Sequence, residues 1–372
     1  MGYFDHNFDN SRNVDQTESF GMANRSRLVT SLSGIIALAF TPLVMLPCPM
    51  AWGQTRSIDQ QLAIPLDNLR DRKARNRADF FLEQSELAKQ SGNLNDAIAY
   101  LSQAGEIYQQ IGDFEGLGKT YNSLGQTYAK LGRYQDAERA LRRGLGAARS
   151  QQSFQPQIYS INNIGILLLQ TRNLKAAQEA FTEALTISRT IKDDDGEGLS
   201  LNNLGLVAAQ GGNYPEAIKW YEAALVLRRR SRDKLGETNI RNNLGDAYLA
   251  ARQEKDALYS YRIAQILAEK VDNVFNQIRA IKGIALTHIA TGKNRQAVKA
   301  LKEYLALAQE QNNRREELVA LKLFAQLYQD TGNWLEARAF YEKAIAVAHA
   351  LGDIQEETLL ISDLAQIIYV TP

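Results

Sequence analysis

The stretch Gly116-Leu117-Gly118-Lys119-Thr120 has the closing residues of a phosphate-binding loop, in which glycines expose backbone N–H groups and a lysine neutralises the phosphates. The glycine such a loop needs five positions before Gly118 is Asp113, and later stretches hold Gly196-Glu197-Gly198 and Gly236-Glu237-Thr238 at the same place. Asp193-Asp194-Asp195 offers carboxylates for calcium but lacks the spaced ligands of a binding loop, and reads as an exposed N-cap cluster. Arg228-Arg229-Arg230 with Arg232 sits at the end of a helix, where it favours the helix dipole and reads as solvated wall. His288 and His349 have no Ser, Cys or metal-ligand constellation around them. Cys48 is the only cysteine, which excludes an internal disulfide and a Cys-rich zinc site. Lys plus Arg is 43 against 42 Asp plus Glu, so the chain lacks the basic excess of a general nucleic-acid binder. No catalytic centre, cofactor or metal is expected.

The residues that remain are asparagines. Asn122, Asn162, Asn202 and Asn242 recur at a fixed interval, and Asn163, Asn203 and Asn243 follow three of them. Asparagine is a mediocre helix former, so its repeated placement inside helices needs a reason. Its amide carries donors and an acceptor together, which suits pairing with a polypeptide backbone whatever its side chains. It equally suits bonds between adjacent helices.

The elements that position them form a repeat of 40 residues. A two-residue turn recurs without insertion at Gly92-Asn93, Gly132-Arg133, Arg172-Asn173, Gly212-Asn213, Arg252-Gln253, Gly292-Lys293 and Gly332-Asn333. Five residues after each turn begins stands an alanine: Ala97, Ala137, Ala177, Ala217, Ala257, Ala297 and Ala337. A methyl group lets two antiparallel helices approach where a larger side chain would prop them apart. Eight residues before the turn lies a large apolar residue followed by a small one, as in Leu204-Gly205 and Ile164-Gly165, and nine residues after it another large one, as in Tyr221. These are amphipathic-helix spacings. Each unit therefore reads as helix A of about 14 residues, a tight turn and helix B of about 18, with glycine opening most turns because positive φ costs it little.

Leu204-Gly205, Ala217, Tyr221 and Ala224, with Ile164-Gly165, Ala177, Phe181 and Ala184, resemble the tetratricopeptide repeat (TPR) pattern over residues 78–372. The usual period is 34 residues. The longer variant here is similar to the repeats of kinesin light chains and bacterial repeat proteins. The resemblance implies an all-α, right-handed superhelical solenoid of seven helix-turn-helix repeats and a C-terminal capping helix. It also implies a concave groove lined by A helices that binds a protein or peptide partner, with no nucleic acid. On that mapping the groove residues are Lys119, Asn122, Asn162, Asn163, Asn202, Asn203, Asn242, Asn243, Arg279 and Lys282. Adjacent phases lie about 100° apart on a helix, so one asparagine column is expected at the groove centre and the other against a neighbouring helix. Arg279 and Lys282, with Lys322 after them, could hold an acidic side chain or a peptide C-terminus.

The expected boundaries are a leader over 1–53, a linker over 54–77, seven units over 78–357 and a cap over 358–372. Leu28 to Thr55 contains no charged side chain, follows Arg25 and Arg27, and ends near the small residues of Ala51-Trp52-Gly53. That pattern fits an export signal, best counted from Met22, or a retained anchor associating with a membrane through residues 28–50. Pro47 before Cys48 fits a lipobox poorly. Either reading places the repeats outside the cytoplasm, in the periplasm or an equivalent compartment. The cap is rich in Leu359, Leu360, Ile361, Leu364, Ile367, Ile368 and Tyr369 and offers a homodimer or docking surface. The leading functional expectation is an exported, non-catalytic factor for assembly, processing or adaptor work. Its rivals are a scaffold acting through the convex wall or terminal helix, and a regulatory subunit of a protease-type system.

Overall fold

A computed structural model describes residues 58–370, and every regular element among them is an α-helix. The leader and the uncharged stretch Leu28–Thr55 lie outside the described residues. No described helix is long and apolar enough to cross a membrane. Packing sorts the helices into two compact units, one ending at Gln152 and the other beginning at Ser153. The first holds α1 (Ile58–Gln90), α2 (Leu94–Gln110), α3 (Phe114–Lys130) and α4 (Tyr134–Ser150). The second holds α5 (Phe154–Gln170), α6 (Leu174–Ile191), α7 (Asp194–Gln210), α8 (Tyr214–Arg230), α9 (Lys234–Ala250) and α10 (Glu254–Lys270). It continues through α11 (Val274–Ala290), α12 (Asn294–Glu310), α13 (Arg314–Asp330), α14 (Trp334–Leu351) and α15 (Ile354–Val370). Odd-numbered helices are A helices and even-numbered ones B helices, giving seven described pairs with α15 as a final A helix. The stretch expected as a linker is helical from Ile58 and continuous with the first A helix.

The 40-residue period divides into two equal halves. A residue with positive φ stands at every twentieth position from Gly92 to Gly352. The turns within pairs are those legible in the sequence. The turns between pairs, at Gly112, Gln152, Lys192, Arg232, Asp272, Asn312 and Gly352, have the same left-handed residue, and five of those seven are not glycine. That composition hid them, and it explains why helices expected at about 14 and 18 residues are instead 17 residues each from α2 on, with 18 in α6 and α14. After each between-pair turn in the second unit comes a capping residue. Asp193, Asp233, Asn273, Asn313 and Asp353 each accept a hydrogen bond from the backbone N–H three residues on. The aspartate run is thus a helix start.

Within each pair the helices meet over small residues. All seven alanines of the Ala97 phase are completely buried. In four of the pairs a glycine of the A helix lies beneath the large side chain of the B helix. A Cβ on Gly165 would stand 2.4 Å from Phe181, and one on Gly205 or Gly245 2.4 Å from the ring of Tyr221 or Tyr261. Gly125 is related in the same way to Leu141. Ala285 and Ala325 occupy this phase in the last two pairs, both fully buried. In α15, Leu360 and Ile367 are buried on the preceding helices while Leu359 and Ile361 are 55% and 50% exposed.

Two substitutions test this account by chemical denaturation. Gly205→Val drives two methyl groups into the Tyr221 ring and should cost about 1–3 kcal/mol, with Gly205→Ala costing less. Arg252→Gly should raise stability by about 1 kcal/mol, because a left-handed residue other than glycine carries roughly 1–2 kcal/mol of strain.

Candidate functional site

On an A helix the side facing the B helices and the opposite side are half a turn apart. In α7, Leu201, Leu204 and Gly205 face the B helices, with Gly205 under Tyr221. Half a turn round lie Leu199 and Leu206, both half-buried. Asn202 and Asn203 flank that line, one on the side of the following A helix and the other on the side of the preceding one. Both are buried, at 4% and 0% exposure.

Their amides join the A helices to one another. Asn203 Nδ2 donates to Asn162 Oδ1 at 2.8 Å, and Asn243 Nδ2 to Asn202 Oδ1 at 2.9 Å. Asn162 Nδ2 also donates to Ser200 Oγ at 3.1 Å, and Asn242 Nδ2 to the carbonyl and Oδ1 of Asn276, both at 3.2 Å. The two columns therefore meet each other across neighbouring helices, and neither occupies the centre of the A face. Asn163 is half-buried on α5. In the first unit Asn122 is half-buried, and a Cβ on Gly144 would come within 3.1 Å of its Oδ1. Lys119 is exposed and paired with Glu115 one turn away. The glycines beside it are ordinary α3 positions, with Gly116, Leu117, Gly118 and Thr120 buried.

From α11 onward charge replaces amide: Lys282 and Lys322 take the phase of Asn202 and Asn242, and Arg279 stands on the neighbouring phase of Leu199 and Asn239. Arg279 donates to Asn243 Oδ1 at 2.8 Å and to Asp246, which also accepts from the Tyr261 hydroxyl. Burial works against the Arg279 charge, but Asp246 outweighs it and raises its pKa above the ordinary guanidinium value. Lys282 reaches Glu316 at 3.4 Å, and Glu316 also accepts from the buried Tyr304 hydroxyl. Lys322 pairs with Glu356, whose side chain is 6% exposed. These cations are each committed to a carboxylate on an adjacent A helix. One position explains the exchange: at the third residue of the A helix, Gly196 and Gly236 give way to Asn276, Glu316 and Glu356. The preceding A helix answers with Asn242, Lys282 and Lys322.

The arginine run behaves likewise. Arg228 bridges Asp195 and Asp233, each at 3.2 Å, and Arg230 meets Asp194 at 3.1 Å. Arg229 lies 3.8 Å from Glu237. The arginines and the aspartate run are therefore partners within one pair, α8 against α7, while Asp233 and Glu237 of the next pair receive Arg228 and Arg229. Among the described residues no group of three or more His, Cys, Asp or Glu side chains could hold a metal ion.

What remains open to solvent is the centre line of the A face, which the sequence reading passed over. In the second unit it carries Tyr159 and Ile166, Leu199 and Leu206, Asn239 and Asp246, then Arg279 and Leu286. Tyr159 is 40% exposed, and Ile166, Leu199, Leu206 and Leu286 are half-buried. The columns lie three or four residues from the asparagines, and the signal for them was the apolar character of α5 and α7 on the side away from Ala177 and Ala217.

The sequence profile of the tetratricopeptide repeat matches residues 81–150, 157–225, 196–270 and 276–350. No curated protein matches the sequence. Similar solved structures include a signal-transduction ATPase with a tetratricopeptide repeat sensor from Pyrococcus horikoshii. It is 19% identical with a TM-score of 0.60, over 82% of this chain and 48% of that one. BtubC (BKLC) from P. vanneervenii is 18% identical with a TM-score of 0.54, over 59% of this chain and 92% of that one. The Rap conjugation gene regulator of plasmid pLS20, solved in complex with the Phr* peptide, is 19% identical with a TM-score of 0.55, over 75% of each chain. At these identities what is shared is the fold.

His288 is a titratable side chain that the core holds against its charge. It occupies the phase of Tyr128, Tyr248 and Tyr328, is 6% exposed, and its Nδ1 has no hydrogen-bond partner. Burial, with Arg262 and Lys293 nearby, lowers its pKa from the usual histidine value. The folded chain therefore binds this proton less readily than the unfolded chain. Stability from this site is present above about pH 6.5 and falls as the pH drops through that value toward the folded pKa. His288→Tyr should flatten this part of the acid dependence, read as the denaturation midpoint between pH 7.5 and 5. An unchanged slope would mean the side chain is already hydrated.

Proposed function

Because this chain belongs to the tetratricopeptide repeat family, we propose that its second unit receives an extended segment of another polypeptide along the centre line of the A helices. The fold serves protein–protein interaction. The observation that carries the reading is the line of Tyr159, Ile166, Leu199 and Leu206, apolar side chains left half-open on helices whose other faces are filled. Such a line can take apolar side chains of a bound segment, and Asp246 with Arg279 beyond it offers polar partners in the same direction. The pLS20 regulator, solved with a peptide, gives the fold a precedent for this kind of ligand.

In this reading the asparagine ladder acts beneath the ligand: it fixes the spacing of the A helices and so the spacing of the apolar line. Direct contact is left to the half-buried Asn163 and Asn239 at its edges. The protein is non-catalytic, and export by the leader makes it an assembly, processing or adaptor factor outside the cytoplasm. The scaffold reading has its own observation, because Val226 and Tyr259 on the B helices are 59% and 60% exposed.

Photocrosslinking in the native cell separates the two. A benzophenone side chain at Leu199 or Leu206 should capture a polypeptide that the same group at Val226 or Tyr259 does not, and Leu199→Asp with Leu206→Asp should abolish capture at Ile166. Capture confined to Val226 and Tyr259 would reject the groove in favour of the scaffold. Replacing Asn162, Asn202 and Asn203 with Ala is a poorer test, since each loss leaves a buried amide partner unsatisfied at a cost of about 1–3 kcal/mol.

A further inference from the structure

Phe80 and Leu87 of α1 break a rule that every later A helix keeps. The phase of Phe80 is buried in all seven of them, from Thr120 at 0% exposure to Leu360 at 1%. The phase of Leu87 is buried in the same seven, from Thr127 at 1% to Ile367 at 2%. Phe80 and Leu87 are each 53% exposed. Seven residues apart, they share one stripe of the helix, and no described element covers it.

The stripe continues toward the N-terminus as a row of cations. Lys73 lies seven residues before Phe80, with Arg70 and Arg77 beside it, and all three are exposed. Residues 70–77 hold five cations against the single carboxylate of Asp71. Arg75 is committed to Asp113, but Arg70, Lys73 and Arg77 form no ion pair with another described residue. Asp79 accepts from the Tyr108 hydroxyl, and Arg77 lies over the ring of Phe81 at 5.7 Å. The outer face of α1 is thus basic for two turns and then apolar for two.

We propose that this face of α1 docks on an anionic lipid surface, with Arg70, Lys73 and Arg77 among the headgroups and Phe80 and Leu87 entering the interface. Cations followed by exposed apolar side chains on one stripe are what an interfacial helix needs. The uncharged stretch Leu28–Thr55 ends fifteen residues before Arg70, so a chain held in a bilayer by that stretch would have α1 beside the lipid. A nucleic-acid duplex would match the cations but not Phe80 and Leu87. This contact is separate from the groove: it involves the first unit and would hold the chain at the membrane whatever the second unit binds.

The test uses the full chain with Cys48→Ser and Leu87→Cys, the new thiol carrying an environment-sensitive fluorophore. Vesicles of phosphatidylglycerol and phosphatidylcholine should shift the emission to the blue, and vesicles of phosphatidylcholine alone should not, even where the leader inserts in both. Each cation near an anionic surface is worth roughly fivefold. Arg70→Gln, Lys73→Gln and Arg77→Gln together should therefore reduce the lipid-seated population on the order of 100-fold. In the chain with its cations intact, 0.5 M salt should suppress the shift, which gives a second reading independent of any substitution. Equal shifts on both kinds of vesicle, or no shift on either, would overturn the proposal. So would a fluorophore already shielded before lipid is added, which would mean that polypeptide covers the face, or one that responds to a DNA duplex and not to lipid.

Discussion

The distance between paired helices governs the rest of this molecule. Fully buried alanines at one phase, and glycine or alanine beneath the large B-helix side chains from the second pair on, set that distance to what a methyl group or a hydrogen atom allows. The same close approach recurs in pair after pair, so successive A helices meet in a constant register within each compact unit. A constant register is what allows a side chain on one A helix to find the same partner type on the next. If Gly205 or Gly245 needed room for a Cβ, Tyr221 or Tyr261 would move outward and the polar contacts at the neighbouring junction would lose alignment.

Polar chemistry along the A helices then follows from burial. An amide or charge buried between helices must be matched, since an unmatched one costs more than a matched one contributes. Asn162 with Asn203, Asn202 with Asn243, Lys282 with Glu316 and Lys322 with Glu356 are versions of one junction, written first in amides and then in ion pairs. The switch tracks a single position, where glycine yields to asparagine and glutamate. Groups so committed are poorly placed to recognise a ligand by themselves, and for that reason the proposed binding line runs along the centre of the A face. The arginine run and the aspartate run show the same economy: each looks like a binding feature alone, and together they tie the two helices of one pair.

The terminal A helices show how much of an A-helix surface is determined by its neighbours. Leu360 and Ile367 in α15 are buried as their phases require, because the preceding pair lies against them. Ile361, at a phase buried as Leu201 and Ile281 elsewhere, is half exposed because no described B helix follows. At α1 the inversion is on the other side, at Phe80 and Leu87. The phases are the same in all these helices, and it is the presence of a neighbouring element that differs.

The sequence by itself determined the all-α class, the forty-residue period, the turns inside each pair and the alanine and glycine phases of close contact. These are properties of one helix or one pair, where 3.6 residues per turn converts spacing directly into direction. It did not disclose the second turn of each period, because Gln152, Lys192, Arg232, Asp272 and Asn312 adopt a left-handed conformation that their types do not announce. Nor did it say what the asparagines bond to, that Arg228 and Arg230 meet Asp195 and Asp194, or that Tyr159, Leu199 and Leu206 form the open line. Phase along a helix fixes an angle about its own axis. Which neighbour stands at that angle depends on the offset between helices, and only the packed structure decided it.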